Sequence, residues 1–502
     1  MAKFMSSFLN LRTTLIVVGI LIISSITHLY RINALHTFHN DEGRDAMIAS
    51  AMINSGSPTL LGPQTSVGNM YLGPIYYYFM VPGLLLSGGD PVGPAIMIAL
   101  TGILTSIGLY FYGKKMFSEQ VGVVAALIMS LSPIFIHYTK SSWNPNLIPF
   151  VSLLMLFAYN KKQYLFLGLL GGILFQLHYV AMLFFATLCL SLLYHTRSLK
   201  GLAAIMGGFL ISSLPFWVFE FRHDWINMQA FYHFILSAGA SDPNGPSYTS
   251  RFIENGLKVI TDLVASKTLT NNTAPTYLVS LSVLLLILTK FTIPKKSLAK
   301  STYDFLLIII FVSVAGTSIL RDPIHPHYVG YLFPIISLVI AASFASASRI
   351  VRGIGVIFFL VWLFHSVPVT YANMTASGSN QKLKGREVAG YIMRDAGERE
   401  YNVVAASDNS RETTYLFYLY KLENPPTNEA TDLLYIICED RPCTEADVES
   451  PIIYNRGPAH PSLLGYLAHP YSPTSSSPKT LISSTHIVYG VWVARVIVGD
   501  NK

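Results

Sequence analysis

The chain has 502 residues, 52% hydrophobic and only 12% charged, with a formal net charge of +7. So few charged side chains cannot cover the surface of a soluble globule of this length, which excludes that class and points to a polytopic membrane protein. The basic residues fall in short clusters between apolar stretches, so the positive charge reads as a topology signal and not as a nucleic-acid surface.

Apolar windows occur near 13–30, 93–112, 120–138, 146–159, 163–177, 180–194, 201–219, 275–290, 303–320, 328–347 and 353–371. Each approaches the roughly 20 residues that cross a hydrocarbon core, and together they predict about eleven transmembrane helices. The first window is long for a signal peptide and lacks a small-residue cleavage site, so it is expected to remain as a helix. A further apolar stretch, Tyr71 to Ser87, is interrupted by Gly73-Pro74, Pro82-Gly83 and Gly88-Gly89. It suits a broken, interfacial helix better than a straight crossing.

With that stretch left out of the count, fourteen basic residues fall on the cytoplasmic side: Lys3, Arg12, Lys114, Lys115, Lys161, Lys162, Arg197, Lys200, Lys290, Lys295, Lys296, Lys300, Arg349 and Arg352. Arg31, Arg44, Lys140 and Arg321 fall outside. The expected topology is a multi-pass protein of the cytoplasmic membrane with its N-terminus inside. A transmembrane domain spans 1–377, with a long external first loop and juxtamembrane helices at 31–92.

From about residue 378 charges return, and alternating stretches such as YNVVAASD, DLLYIICE and HIVYGVWVARVIVG predict strands. A helix near 382–397 turns Val388, Tyr391 and Ile392 to one side. Residues 378–502 therefore read as a small extracytoplasmic α/β domain, with an irregular loop over 456–484. Cys189 reads as a packing residue within a span. Cys438 and Cys443 could form a bridge in an oxidising compartment or stand as two thiols.

The block Asp41-Glu42-Gly43-Arg44-Asp45, just past the first span, is the main functional signal. An acidic side chain at the bilayer centre costs roughly 3 kcal/mol on insertion scales, whereas beside a hydrated cavity it can accept a proton. The expected topology gathers further polar residues on the same side: Asn144 and Asn146, His178 and Tyr179, Glu220 to Asp224, and Arg321, His325 and His327. Simpler readings exist for each. Asp41 and Glu42 can cap a helix N-terminus, Arg44 can pair with Asp41 or Asp45, and imidazoles in loops are easily solvated. Glu220 and His223 lack a third ligand at diagnostic spacing, so no metal site is assigned.

The DEGR at 41–44, GPIYYYFMVPGLLL at 73–86, SSWNPNLIP at 141–149, FQLHY at 175–179, PFWVFEFRHD at 215–224 and PHYVGYLFPIISLVIA at 326–341 resemble one family. It is the GT-C type membrane glycosyltransferases, which include protein O-mannosyltransferases and lipid A aminoarabinose transferases. The resemblance covers roughly residues 10–375. It implies transfer of a sugar from a polyprenyl-phosphate donor to a protein, lipid or glycan acceptor at the outer face. Asp41 and Glu42 would be catalytic, Asp41 as general base. Arg44, Asn144, His178, Tyr179, Arg321, His325 and His327 would bind substrate. A divalent cation is left open.

The chain departs from the aminoarabinose transferases at Leu72-Gly73-Pro74, where they carry a Lys before a Pro pair, so the donor phosphate must be held by other residues. A transporter or flippase of envelope glycan precursors would also have many spans. It should, however, place ionisable residues near helix centres and often shows inverted repeats. A non-catalytic scaffold for the C-terminal domain would have no use for an acidic pair in a polar cavity.

Overall fold

A computed structural model describes residues 11–65, 70–239, 245–266, 276–320, 324–406, 413–422, 425–427, 431–449 and 479–498. Among the described residues there are twenty α-helices, four short 3-10 turns and four strands. The mainly helical class with a small C-terminal sheet is thus observed.

Among the described residues, six helical segments are long and apolar enough to cross a membrane: Leu11–Leu29, Val92–Met116, Tyr179–Thr196, Leu199–Arg222, Leu298–Thr317 and Arg349–Thr375. A seventh crossing would be the pair Glu119–Leu131 and Pro133–Thr139, bent by 62°. The bend falls where Pro133 cannot donate to the preceding turn. Helices over the remaining expected windows are shorter: Ile148–Asn160 has 13 residues, Tyr164–Leu177 has 14, Thr276–Thr292 has 17 and Leu332–Ala341 has 10. Helix length therefore accounts for six or seven crossings, where hydropathy windows suggest eleven. A window averages across breaks and 3-10 turns that shorten the rod.

The residues divide into two compact units. One comprises Met1–Ile32, Ile96–Lys140 and Asn144–Ala376; the other comprises Asn33–Ala95, Ser141–Trp143 and Ser377–Lys502. The grouping differs from a single cut at 377/378, because the 33–95 segment clusters with the C-terminal residues.

In the first unit, helices pack through small residues. A methyl group at Gly168 would lie 2.0 Å from the Ile205 carbonyl oxygen, and one at Gly208 would lie 2.2 Å from that of Leu165. Helices Tyr164–Leu177 and Leu199–Arg222 therefore touch backbone to backbone, the small-residue packing that serves where apolar burial supplies no drive. Polar side chains bond across the bundle as well: Ser24 to Ser130 at 2.7 Å, and Thr27 Oγ1 to the Ser130 carbonyl at 2.8 Å.

The second unit contains helices α1 (Asn40–Ser55), α2 (Ile75–Leu86) and α3 (Gln381–Ala396), strand β1 (Asn402–Ala405), helix α4 (Thr413–Lys421), and strands β2 (Leu433–Glu439), β3 (Lys479–Val488) and β4 (Val491–Val498). Helix α2 follows Pro74 and ends at Gly88-Gly89, both with positive φ. Its 12 residues span only about 18 Å, too short to cross a bilayer unaided. The sheet order is β1-β2-β4-β3, with β1 and β2 parallel and the rest antiparallel. Central β2 is buried throughout.

The last expected strand is a hairpin, reversed at Tyr489-Gly490, where φ is 43° and 73°. Two successive positive φ values give the turn a twist that matches the flanking strands. Residues 479–484, expected to be loop, belong to β3; its alternation of half-buried and exposed side chains is that of an edge strand. The rest of that loop lies outside the described residues. On α3, Val388 and Ile392 are fully buried, and the Tyr391 hydroxyl reaches Thr485 at 3.3 Å. Cys438 and Cys443 are bridged.

Candidate active site

Helix α1 starts at Asn40, so Asp41 and Glu42 both lie in its first turn, where the unsatisfied amides favour carboxylates. They do different things. Glu42 is 4% exposed. Its Oε2 accepts from Thr37 Oγ1 at 2.6 Å and from the amide of His39, the helix N-cap, at 2.9 Å. Its Oε1 accepts from the Ser142 amide at 2.7 Å, Ser141 Oγ at 2.8 Å and His36 Nε2 at 3.2 Å. Burial alone would push this carboxyl up. The His36 imidazole, Thr37 and the His39 amide outweigh it and hold the group at about 2. Glu42 is a buried carboxylate with its lone pairs filled, tying α1 to two other segments of the chain.

Asp41 is placed otherwise. Its side chain is 37% exposed, and Oδ1 accepts from Arg44 Nη1 at 3.0 Å. Arg44 also donates to Asp45 Oδ1, through Nε at 2.9 Å and Nη2 at 2.8 Å. Tyr77 of α2 donates to the same oxygen at 3.3 Å. Burial works against the Arg44 charge, yet Asp45 and Asp41 together raise it above its ordinary range. Asp45 is fully buried, and its Oδ2 has no hydrogen-bond partner. Burial pushes its carboxyl up to about 7 against the pull of Arg44, with Asp41 adding to the rise. Tyr77, Asp45 and Arg44 thus form a chain of contacts that ends on the one carboxylate of the block with solvent access.

In the first unit, His178, His325 and His327 come together. The His178 and His327 rings are 6.0 Å apart, His325 and His327 are stacked at 5.5 Å, and Tyr328 lies 4.9 Å from His178 and 4.6 Å from His327. Burial lowers His178 to about 4 and, with His178 and His325 nearby, His327 to about 2. Burial also lowers His325, with Lys258 adding to the effect. Burial thus favours the neutral form of these imidazoles near pH 7, which suits a hydrogen-bonding role in substrate binding better than a cationic one.

Tyr179 packs against Phe175 and Phe231. Asn144 is buried, and its Nδ2 donates to the Leu177 carbonyl at 2.7 Å. Arg321 lies outside the described residues. Glu220 is buried and occupied by Asn227 Nδ2 at 2.8 Å and the Met228 amide at 3.1 Å. Lys140 donates to the Tyr30 carbonyl, and Arg31 to those of Met374 and Ala376, so both cations sit at helix C-termini. Among the described residues, no group of three or more His, Cys, Asp or Glu is arranged to hold a metal ion.

Residues 72–219 match the family model described as dolichyl-phosphate-mannose-protein mannosyltransferase. No curated protein matches the sequence significantly. Among solved structures, the fold is similar to ArnT from Cupriavidus metallidurans bound to undecaprenyl phosphate, with a TM-score of 0.59 at 12% identity, over 96% of this chain and 97% of that one. The apo state of the same protein gives 0.57 at 12% identity, with the same shares covered. An archaeal oligosaccharyltransferase, AglB from Archaeoglobus fulgidus, gives 0.48 at 12% identity over 88% of this chain and 70% of that one.

The family match over residues 72–219 and the similarity of fold support a GT-C type membrane glycosyltransferase. Within that GT-C framework, reasoning from the sequence missed several residues. Tyr77 sits in an apolar run with no polar signal around it, and Asp45 reads only as a partner for Arg44; the third acid of DEGRD is the available clue. His36, Thr37, Ser141 and Ser142 carry no local signal, because their common partner Glu42 lies about a hundred positions from the two serines.

Proposed function

We propose that this chain transfers a sugar from a polyprenyl-phosphate-linked donor to an acceptor hydroxyl at the outer face of the cytoplasmic membrane, with Asp41 as general base. The observation that carries the reading is the contrast within the acidic pair: Glu42 is enclosed and saturated, while Asp41 is part-exposed and oriented from one side by Arg44. Support also comes from the family match over 72–219 and from the fold of an enzyme bound to undecaprenyl phosphate.

In the reaction, the acceptor oxygen attacks the anomeric carbon and the bond from that carbon to the phosphate oxygen breaks. Polyprenyl phosphate leaves with the electron pair, and the acceptor proton passes to the free oxygen of Asp41. A positioned base of this kind contributes typically ~10²- to 10⁴-fold in rate. Arg44 aims the carboxylate through its bond to Oδ1. The bridge between Cys438 and Cys443 favours an oxidising compartment for the unit that contains Asp41, in keeping with an N-terminus inside and an extracytoplasmic C-terminal domain.

The test is transfer of tritium-labelled mannose from undecaprenyl phosphate, with parallel arms carrying labelled glucose and aminoarabinose, in membranes bearing the wild type or Asp41→Asn. Loss of at least a hundredfold is expected in the arm that turns over. Unchanged incorporation in the variant would remove Asp41 from the chemistry.

A further inference from the structure

Phe38, three residues before Asp41, has a φ of 43° and is fully buried. That left-handed conformation is strained for a bulky side chain, and such a residue persists only where its surroundings over-determine it. Those surroundings are helix α4, more than 370 positions away in the sequence. Thr414 Oγ1 donates to the Phe38 carbonyl at 2.8 Å, and the Phe38 ring meets Phe417 at 5.4 Å and Tyr418 at 6.1 Å. Thr413 Oγ1 donates to the Asn40 carbonyl at 2.7 Å. A methyl group at Gly43 would lie 2.8 Å from the Thr413 carbonyl carbon and 2.9 Å from the Thr414 nitrogen. The first turn of α1 therefore rests directly on the first turn of α4.

Helix α4 is anchored in turn. Glu439, at the end of β2, accepts from Tyr415 of α4 and from Gln381 and Lys384 of α3, the last two at 3.2 and 3.3 Å. The disulfide at Cys438 fixes the next residue of the strand. A continuous set of contacts runs from the sheet through α4 to both sides of Asp41: the strained turn before it and the glycine after it.

We infer that the C-terminal segment serves as the second half of the support for the proposed base, with Thr413 and Thr414 as positioning residues that hold the Phe38–Asn40 turn so that Asp41 faces outward. The inference rests on the transferase reading for its consequence in catalysis, though not for the clamp itself. Two bonds to the Phe38 and Asn40 carbonyls of a strained turn, made by hydroxyls rather than by the apolar face of α4, set its geometry more tightly than packing alone would.

The test uses the full chain in nanodiscs, with Thr413→Val, Thr414→Val, the double variant, and Thr413→Ser as the conservative control. Amide hydrogen exchange over residues 38–44 should quicken about fivefold in each single valine variant, the effect of losing one such bond, while β2 and β4 keep their protection. The serine variant should match wild type. In the tritium transfer assay, kcat should fall about tenfold with the donor KM within twofold, since misplacement affects chemistry more than binding.

If Thr413→Val loosens β2 and β4 as well, Thr413→Ala takes its place under the same requirement. Unchanged exchange over 38–44 in the valine variants overturns the clamp. If Asp41→Asn keeps full transfer, the functional reading fails while the exchange result stands. If Asp41→Asn is inactive and the valine variants keep wild-type exchange and kcat, the clamp alone fails.

Discussion

Replacing Glu42 by glutamine tests whether this residue holds the site or takes part in the chemistry. The two carboxylate oxygens each face a backbone donor, the His39 amide on one side and the Ser142 amide on the other. Whichever way the glutamine amide is turned, its NH2 meets an N–H that cannot reverse. The Thr37 and Ser141 hydroxyls can rotate, so the unavoidable loss is one buried backbone donor, about 1–3 kcal/mol.

The charge gives a second measure. Holding the carboxyl at about 2, against 4.5 for a free glutamate, corresponds to about 3 kcal/mol of folding stability near neutral pH. These describe overlapping losses, and the expected destabilisation is about 3 kcal/mol. At roughly 2–4 °C per kcal/mol for a unit of this size, the melting midpoint in detergent should drop by roughly 6–12 °C at pH 7. Because the folded value lies below the unfolded one, the contribution is present above about pH 4.5 and is lost as the pH falls toward 2. The gap between wild type and variant should narrow accordingly in acid. A glutamine variant that melted with the wild type but transferred no sugar would show that Glu42 acts on substrate, and the assignment of a supporting role would be wrong.

The buried histidines predict a second pH dependence in a different window. His178 at about 4 and His327 at about 2 both lie below the ordinary 6.5, so the unfolded chain binds more protons there. Their stabilising contribution is complete above pH 6.5 and is lost as the pH falls from 6.5 toward 4. Replacing His327 by glutamine should flatten the stability curve over that range by about 1.4 kcal/mol per pH unit, and superimposable curves would contradict it. For the disulfide, Cys438→Ser with Cys443→Ser should cost about 2 kcal/mol by loop closure over so short a separation. In protein unfolded in denaturant, a maleimide should label these cysteines only after reductant. Labelling without it would count against the bridge.

Much of the candidate site was legible because its chemistry is local. Asp41, Glu42 and Arg44 are adjacent, charged, and set just beyond an apolar span, so composition contrast alone marks them. The division of labour between the two acids was not legible. It depends on which carboxylate meets Ser141 and Ser142, and no periodicity in the chain encodes that. The histidines show the same limit: PHY at 326–328 and His178 could be noticed as polar residues in loops, but their neutrality follows from burial against one another. Counts of spans by hydropathy and by helix length differ for a related reason. Hydropathy records how apolar a stretch is, whereas the helix breaks at Ser132-Pro133 and the 3-10 turn over Ala342–Ala345 are set by backbone geometry.

By itself, the sequence determined a mainly helical membrane protein with a small α/β segment at its end, the resemblance to GT-C transferases, and the acidic block where the chemistry was to be sought. These follow from apolar content, strand alternation and neighbouring charges, all of which act over a few residues. Only the tertiary structure decided that residues 33–95 cluster with the C-terminal segment, that Glu42 is a filled anchor while Asp41 has solvent access, and that Thr413 and Thr414 grip the turn before it. Hydrogen bonds between groups hundreds of positions apart depend on where folding brings two backbones together, and an unaligned sequence carries no local trace of that meeting.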